Sequence, residues 1–435
     1  MAGGIDEVLV SYSPGETRLA LIEGGCAAEF IIDRGEGQPG DIVLGRVLSS
    51  GKKGGFAFID IGEGVPAVFK GGGAAEGGTV LVQITASARG EKGAELTRAV
   101  TLEGRLLIFS PMRPGLAVSR RLEPAQRERL KTFLGGKIAP GEGVVARSAA
   151  AAAEGGAIAA ELGALRARWA DIRERAERAR APSWLVRPHP LEKLLQTRTV
   201  GRVRVDDTAA LADIRAFYPG AEHYRDGALF DLYDASEVLE AALQPVVTLP
   251  GGASLLFGTA AGLSVIDIDS GPLPPEDANR AAMPEIARQL RLRALSGHIL
   301  VDLIPMRRAG AHAGAVAVLK AAIAGDPTPT HVVGTTPLGM IEMTRDRLGP
   351  SLGERMLEMT IPGPNAPTLA LEGVRALLRE STANPGRRHV LAASPAVAAI
   401  LNRRPDILAE AARQLGEPLR LTEMRDVTGY EIREG

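Results

Sequence analysis

The chain has 435 residues, a formal net charge of −1, and a composition that is 45% hydrophobic but only 4% aromatic. This length is too great for one ordinary core and predicts about two to four compact units. The near-zero charge excludes a global attraction to nucleic acid, so any such binding has to come from local basic patches. Cys26 is the only cysteine and no HExxH pattern occurs, which excludes disulfides within the chain and CxxC zinc sites and disfavours zinc hydrolysis. The sequence shows no leader-like N-terminus and no run of about 18 apolar residues, which predicts a cytoplasmic protein without a membrane partner.

The first two segments of the chain are rich in short strands. Residues 6–33 predict an antiparallel meander, too small to stand alone and therefore expected to join a sheet that later residues complete. Residues 39–100 predict five short strands, which is typical of a small barrel of the OB type. Phe56 and Phe58 alternate onto one face of this segment, where exposed rings among lysines suit single-stranded nucleic acid; the alternative that both rings fill the barrel stays open. The lysines of the flanking turns are Lys52, Lys53, Lys70 and Lys92.

The middle of the chain mixes strands and helices. Between residues 101 and 182, short strands alternate with two helices, and the second helix ends in an Arg/Glu-laced stretch that indicates a solvated helix face. Between residues 183 and 250, the predicted elements are two short strands and two helices: 202–205, 229–233, 211–217 and 235–243.

The second half of the chain centres on one acidic strand. Ser264–Gly271 predicts a short buried strand in which alternation puts Asp267 and Asp269 on the same side. A helix and a second apolar strand follow, and that strand carries Asp302 near its carboxyl end. Strand, helix and strand in this order predict a right-handed crossover with two parallel strands, whose ligands lie at their carboxyl ends. Three carboxylates there predict a site for a hard divalent cation; the alternative is that an aspartate after a strand only caps a helix or turn.

A long, ordered signature runs through this half of the chain in the segments 264–271, 285–293, 297, 299–302, 338–345 and 351–354. This signature resembles the ribonuclease E/G family of bacterial endoribonucleases, and weaker similarity extends over nearly the whole chain. The resemblance implies an α/β multidomain fold with an OB-fold (S1-type) barrel inserted near the N-terminus, an RNase H-like subdomain, a DNase I-like catalytic α/β subdomain and a small C-terminal α/β unit. The implied boundaries are 1–38 for the N-terminal strands of the RNase H-like subdomain, 39–100 for the barrel, 101–182 for a region like a 5′-phosphate sensor, 183–250 for the rest of the RNase H-like subdomain, 251–358 for the DNase I-like subdomain and 359–435 for the C-terminal unit.

The resemblance also assigns roles to individual residues. The family's two catalytic aspartates fall on Asp267 and Asp302, which are expected to bind Mg²⁺, with Mn²⁺ as a substitute, and the family's active-site asparagine falls on Asp269, the third expected catalytic residue. The pocket for a 5′-monophosphate falls on Arg147 and Ser148, and a guanidinium grips a terminal phosphate bidentately. The RNA-binding residues that the resemblance implies are Phe58, Phe69, Lys92, Arg120, Arg121, Arg147 and Ser148.

Three departures from the family's pattern affect these expectations. The cysteine pair that shares a zinc between subunits is missing after Glu354, so we expect no zinc, and a homo-oligomer, if one forms, is expected without a zinc link. Pro305 stands where the family usually has a further acid, and Pro329 stands near the place of a further arginine of the phosphate pocket.

The implied function is a Mg²⁺-dependent endoribonuclease that cleaves single-stranded RNA in RNA processing or decay. Two alternatives stay open. One is a non-catalytic RNA-binding paralogue that keeps the fold without turnover, and the other is a metal-dependent DNA nuclease that uses the same acids.

Overall fold

The structure is a computed structural model that describes residues 4–51, 55–70, 75–88, 92–260, 262–306, 310–357 and 363–435. These residues form a mixed α/β fold with five sheets. The chain falls into two compact units: the discontinuous unit, Met1–Gly35 with Thr199–Gly435, and the inserted unit, Glu36–Arg198. Across the described ranges, no helix has both the length and the apolar character that a membrane crossing requires.

The discontinuous unit begins with an antiparallel meander, as predicted. Its strands are β1 (Ile5–Ser13), β2 (Glu16–Glu23) and β3 (Cys26–Asp33). Most of their aliphatic side chains are buried, which leaves this meander dependent on later residues for partners.

The inserted unit opens with a barrel of five strands: β4 (Ile42–Ser50), β5 (Phe56–Asp60), β6 (Ala67–Lys70), β7 (Thr79–Ala86) and β8 (Glu95–Thr97). Pairing runs β4–β5–β6–β8–β7 and returns from β7 to β4, which closes the barrel. Alternate residues of these strands point inwards and form its core. The small barrel predicted for this segment is thus confirmed, and it is consistent with an OB-fold.

The rest of the inserted unit is a four-stranded sheet with helices. Its elements are β9 (Leu102–Glu103), β10 (Leu107–Ser110), β11 (Gly115–Val118), α1 (Pro124–Gly135), β12 (Gly143–Ala146), a 3₁₀ turn (Ser148–Ala152), α2 (Gly155–Arg178), β13 (Ser183–Val186) and α3 (Pro190–Leu195). The order is β11–β12–β10–β9; β11 and β12 are parallel, the other two pairs are antiparallel, and β13 pairs with β4. On α2 the ion pair of Arg175 and Asp171 is half exposed, which confirms the solvated helix face.

The chain then returns to the discontinuous unit and completes the first sheet. β14 (Val200–Val205) pairs in parallel with β1, and β15 (Glu222–His223) extends the order to β15–β14–β1–β2–β3. This pairing confirms that the N-terminal meander joins later strands. The helices of this segment are α4 (Thr208–Arg215) and α5 (Ala235–Leu243).

One strand predicted in this segment is wrong. Residues 229–233 belong to a 3₁₀ turn, Leu229–Asp234, rather than to a strand. Tyr233 and Asp234 have φ angles of 59° and 51°, which lie in the left-handed region and are incompatible with an extended chain. Two apolar residues of this run, Leu229 and Phe230, are buried, which accounts for its hydrophobic character.

The largest core of the discontinuous unit belongs to a six-stranded sheet and two helices. The elements are β16 (Val246–Thr248), β17 (Ser254–Ala260), β18 (Leu263–Asp269), α6 (Pro275–Leu292), β19 (Gly297–Asp302), α7 (Ala311–Ile323), β20 (Thr330–Thr335) and β21 (Ile341–Arg345). The order is β16–β17–β18–β19–β21–β20, in which β18 and β19 are parallel and the other pairs are antiparallel. The strand–helix–strand unit with parallel strands is therefore confirmed.

This sheet has one covered face and one outward face. Ile266, Ile268, Ile299 and Val301 alternate onto the covered face and pack against α6 and α7 in one buried cluster. The residues between them point to the opposite side, which we call the outward face. The carboxyl ends of β18 and β19 meet at one edge of it.

The C-terminal segment contains four described helices and a three-stranded sheet. Its elements are α8 (Leu352–Met356), α9 (Ala366–Ala383), β22 (His389–Ala393), α10 (Pro395–Asn402), α11 (Pro405–Leu415), β23 (Leu421–Glu423) and β24 (Tyr430–Glu434). The sheet order is β23–β22–β24, and α9, α10 and α11 pack on it around one aliphatic core.

A buried ion cluster joins α9 to the first sheet within the discontinuous unit; we call it the Glu16 cluster. The Glu16 carboxylate is fully buried and receives Nε of Arg18 at 2.5 Å, Nε of Arg34 at 2.8 Å and Nη2 of Arg375 at 3.1 Å. Burial acts to raise the pKa of Glu16, but the charges of the three arginines hold that pKa at about 2. The carboxylate is therefore a structural anion, saturated by its partners.

Candidate active site

Two aspartates lie side by side at the carboxyl ends of the parallel strands. Asp267 of β18 is the register partner of Asp302 of β19. Register partners on neighbouring strands point to the same face and their strands are about 4.8 Å apart, so both carboxylates stand on the outward face. Asp267 is exposed and Asp302 is half-buried. We call these two residues the acid pair.

Neither carboxylate of the acid pair has a hydrogen-bonding or ionic partner among the described residues. Two neighbouring anions repel each other, and a bound cation removes this repulsion. Within the described ranges, no group of three or more His, Cys, Asp or Glu side chains is arranged to hold a metal. A pair of carboxylates without a closed protein cage fits Mg²⁺, which keeps several waters and takes one or two carboxylates together with substrate phosphates.

Asp269 stands on the same face, two residues beyond Asp267. Its Oδ1 accepts a hydrogen bond from the backbone N–H of Gly271 at 2.9 Å. This bond is the turn cap that sequence reasoning keeps as the alternative for an aspartate after a strand. The catalytic role of Asp269 stays a prediction, with one of its oxygens engaged by the turn.

Asn279 of α6 fixes the chain just beyond Asp302, and sequence reasoning missed it. Its side chain is 1% exposed; the amide nitrogen donates to the carbonyl of Ile304 at 2.8 Å, and the N–H of Ile304 donates to Asn279 Oδ1 at 3.1 Å. These two bonds satisfy both backbone groups of a residue that follows β19. Asn279 therefore holds the strand end that carries Asp302 against α6. The only signal in the sequence is an amide among the buried positions of an amphipathic helix.

The barrel presents two aromatic rings on its outer surface. Phe56 is 56% exposed and Phe58 is 45% exposed, while Ala57 and Ile59 between them are fully buried. The structure thus decides against the alternative in which both rings fill the barrel. The predicted face with Phe56 and Phe58 is present on β5.

Phe69, which is predicted to bind RNA, lies inside the barrel. It is 7% exposed in the barrel core, and the guanidinium of Arg98 lies over its ring at 5.1 Å. The reason is register: Phe69 of β6 pairs with the inward Ala57, whereas the neighbouring Val68 pairs with the outward Phe58. This burial argues against base stacking by Phe69, and Phe56 is the second exposed aromatic side chain of this surface.

The predicted lysines of the barrel are described only in part. Lys92 and Lys70 are both largely exposed and share the carboxylate of Glu95, at 3.3 and 3.4 Å. Exposed ion pairs of this kind contribute little and exchange readily for other anions. Lys52 and Lys53 lie outside the described residues.

A second group of predicted residues meets at one edge of the four-stranded sheet. Because β11 and β12 are parallel, with Val118 beside Ala146, the residues that follow each strand leave the sheet at the same edge. Arg120 and Arg121 follow β11 and are exposed; Arg147 and Ser148 follow β12. We call these four residues the arginine edge.

Arg147 already has protein partners. Its Nη1 donates to the carbonyl of Gly104 at 3.0 Å and forms an ion pair with Glu103 at 3.4 Å. The hydroxyl-bearing Ser148 beside it is exposed. The edge thus combines three guanidiniums and a hydroxyl, a set that suits a phosphate group.

The family profile described as "Ribonuclease E/G family" matches residues 101–348, which is more than half of the chain. The chain belongs to the ribonuclease E/G family. It is 29% identical to Ribonuclease G of Salmonella typhimurium (strain SL1344) and to Ribonuclease G of Escherichia coli (strain K12), in each case over 95% of this chain and 96% of the relative. It is 31% identical to Ribonuclease E of Escherichia coli (strain K12) over 64% of this chain and 29% of that protein.

The ribonuclease E/G match covers both candidate sites. The segment 101–348 includes the arginine edge, the acid pair and Asn279. The barrel precedes this segment, and the two ribonuclease G relatives match over nearly the full length of the chain.

Proposed function

We propose that this member of the ribonuclease E/G family is a Mg²⁺-dependent endoribonuclease that cleaves single-stranded RNA in RNA processing or decay, in the cytoplasm. The endoribonuclease class follows from the family and from relatives named Ribonuclease G and Ribonuclease E. The register pairing of Asp267 with Asp302 carries the proposal of a metal, because it sets beside each other two carboxylates that have no partner among the described residues. We also propose that residues 251–358 are the DNase I-like catalytic subdomain, and that the sheet built from 1–38 and 183–250 is RNase H-like.

The acid pair supplies the oxygen ligands. When bound there, Mg²⁺ supplies positive charge to the scissile phosphate and makes a water molecule a better nucleophile. Asp267 and Asp302 fix the position at which that charge lies. Asn279 keeps the carboxyl end of β19 in place through Ile304. Asp269, on the same face with one oxygen engaged by Gly271, is placed to orient a water molecule.

The exposed rings of the barrel support selectivity for single strands. Stacking of Phe56 and Phe58 on nucleobases requires base faces that are not already stacked in a duplex. The exposed Lys70 and Lys92 neutralise phosphates beside them. Contacts of this kind read no base sequence.

The arginine edge supports a moderate preference for a 5′-monophosphate. Arg147 and Ser148 provide a guanidinium and a hydroxyl for a terminal phosphate, but Arg147 has to share its donors with Gly104 and Glu103. We propose that a homo-oligomer, if one forms, is held without zinc, because Cys26 is the only thiol and the family's cysteine pair is missing.

The test is cleavage of a short fluorescent RNA in Mg²⁺ and in EDTA, beside a hairpin duplex and a DNA of the same sequence. We expect internal cleavage of the single-stranded RNA that requires the metal, with slow cleavage of the duplex and of the DNA. Tight RNA binding without turnover in Mg²⁺ or Mn²⁺ would identify a non-catalytic paralogue. Equal cleavage of DNA would identify a general nuclease, and either result contradicts the proposal.

A further inference from the structure

A single row of side chains crosses the outward face of the six-stranded sheet at the acid pair. Val246 of β16 is opposite Leu256 of β17, Leu256 is opposite Asp267 of β18, and Asp267 is beside Asp302 of β19. Register partners share a face, so these four side chains form one continuous line across four strands. Two of them are apolar and two are acidic.

The two apolar members of the row are exposed. Val246 is 51% exposed and Leu256 is 48% exposed. The neighbouring Leu255 points to the face covered by the helices and is fully buried. Outward positions of a half-buried antiparallel strand are usually polar, and the adjacent row follows this rule with Thr248, Ser254 and Asp269. Val246 and Leu256 depart from it at the acid pair.

The charges of the outward face exclude one kind of ligand contact. Its described register positions include four carboxylates, Asp267, Asp269, Asp302 and Glu342, and no lysine or arginine. A bare phosphate backbone is repelled there except where a cation neutralises it. A group that binds against Val246 and Leu256 beside these carboxylates is therefore expected to be uncharged and apolar on at least one side, as the flat face of a nucleobase is.

We propose that Val246 and Leu256 form a base-binding subsite for the nucleoside next to the scissile phosphate. This inference rests on the proposed function, since the acid pair places that phosphate one strand away from Leu256. Adjacent strands are about 4.8 Å apart, so two side chains suit one base and are far too small for a stable protein interface. A Cβ built on Gly258, two residues from Leu256 on the same face, meets no atom within 4 Å, so there is open space beside the subsite.

The subsite predicts contact without sequence readout. Leu and Val side chains offer dispersion and area burial to any base, but no donor or acceptor that distinguishes one base from another. The contact therefore orients the nucleoside and holds its phosphate over the acid pair, and it tolerates both purines and pyrimidines.

The test combines side-chain changes with substrates that lack one base. The variants are Leu256→Thr and Val246→Thr, which keep residues that favour strands, and Leu348→Thr is the matched control at a 65% exposed leucine outside the row. After the cleavage position in a short RNA is mapped, kcat/KM is measured for that RNA and for versions with a single abasic nucleotide on either side of the scissile bond.

We expect wild type to lose about tenfold in kcat/KM on one of the abasic substrates, which corresponds to ~1.4 kcal/mol. On the intact RNA, kcat/KM of Leu256→Thr is expected to be about tenfold below that of wild type. On that abasic RNA, Leu256→Thr and wild type are expected to have the same kcat/KM. Leu348→Thr is expected to behave as wild type on both substrates. The subsite is overturned if Leu256→Thr reduces kcat/KM relative to wild type by the same factor on intact and abasic RNA, or if it reduces kcat/KM on neither. In both cases the endoribonuclease proposal stands.

A binding measurement separates failure of the subsite from failure of the proposed function. If wild type cleaves no RNA, the proposed function is wrong. The subsite is then tested by fluorescence anisotropy, which compares the affinities of wild type and the same variants for intact and abasic RNA. Light scattering of Leu256→Thr completes the test. An unchanged mass supports a base as the occupant, whereas dissociation of an oligomer assigns the apolar pair to a second copy and overturns the proposal.

Discussion

The Glu16 cluster and the acid pair are two carboxylate sites in the same unit with opposite electrostatics. Glu16 is fully buried and receives three arginines at 2.5, 2.8 and 3.1 Å. Asp267 and Asp302 stand beside each other on an outward face without a cationic partner among the described residues. A saturated buried anion stabilises the fold, whereas two adjacent unsaturated anions cost stability until a ligand arrives. Function and stability are therefore expected to separate cleanly between the two sites.

The largest expected effect is on catalysis. Asp267→Asn or Asp302→Asn removes a metal ligand and is expected to reduce cleavage by ~10³-fold or more, while RNA binding is largely kept. Because the replacement also relieves repulsion between the acids, the free energy of unfolding is expected to stay equal or to rise. Turnover and urea unfolding of each variant, beside the exposed control Asp226→Asn, measure both quantities. Near-normal turnover in a folded variant would remove the acid pair from the mechanism.

The next effect is on stability at the other site. Glu16→Gln leaves the buried guanidiniums of Arg34 and Arg375 and the half-buried guanidinium of Arg18 without this carboxylate, and it is expected to lower the free energy of unfolding by about 3 to 5 kcal/mol. Cleavage per folded molecule is expected to be retained, since the cluster joins α9 to the first sheet and includes neither member of the acid pair. Urea unfolding followed by circular dichroism compares this variant with Glu240→Gln on the exposed surface of α5. A loss below about 1 kcal/mol contradicts the structural role.

Acid pH is expected to reproduce part of that loss. The pKa of Glu16 is lowered to about 2 in the folded chain, so the stability it contributes is present above its ordinary pKa near 4.5 and is lost as pH falls from there towards 2. The contribution is about 3 kcal/mol by linkage. Burial raises the pKa values of the nearby Asp206 and Glu372, which take up protons earlier and favour folding as they do so.

The difference in unfolding free energy between wild type and Glu16→Gln isolates the Glu16 contribution from the other acids. We expect this difference to shrink between pH 5 and about pH 3. A difference that stays constant over this range would show that Glu16 is not the titrating group.

The smallest effect is expected at the arginine edge. Arg147→Ala is expected to reduce a preference for 5′-phosphorylated over 5′-hydroxyl RNA that is itself no more than ~100-fold, because one charge-assisted contact is worth about 1.5 to 3 kcal/mol. Arg173→Ala, on the exposed face of α2, removes the same charge elsewhere and serves as the control. Competition between the two substrates in one reaction measures the preference. A strong preference that survives Arg147→Ala would assign 5′-end binding to other residues.

The sequence was sufficient for features that depend on local alternation. Apolar periodicity predicts β18, α6 and β19. The rule that ligands lie at the carboxyl ends of parallel strands draws attention to Asp267 and Asp302 there. The closed barrel follows from five short strands separated by glycine turns.

Features that depend on cross-strand register were not predictable in this way. Phe69 lies inside the barrel because it pairs with Ala57, and a shift by one residue would have placed it outside. Asn279 bonds to Ile304, which is 25 residues away in sequence. The line from Val246 and Leu256 to the acid pair exists only once three strand pairings are known.

The most direct test of the central claim is metal binding at the acid pair. Titration of the free protein with Mn²⁺, followed by electron paramagnetic resonance, is expected to reveal one site in wild type and in Asp226→Asn, with Mg²⁺ in competition. In Asp267→Asn and Asp302→Asn the affinity of that site is expected to fall at least about tenfold, because each loses one of the two protein ligands. Equal Mn²⁺ affinity in all four proteins would contradict the claim that these two side-by-side aspartates hold the catalytic metal.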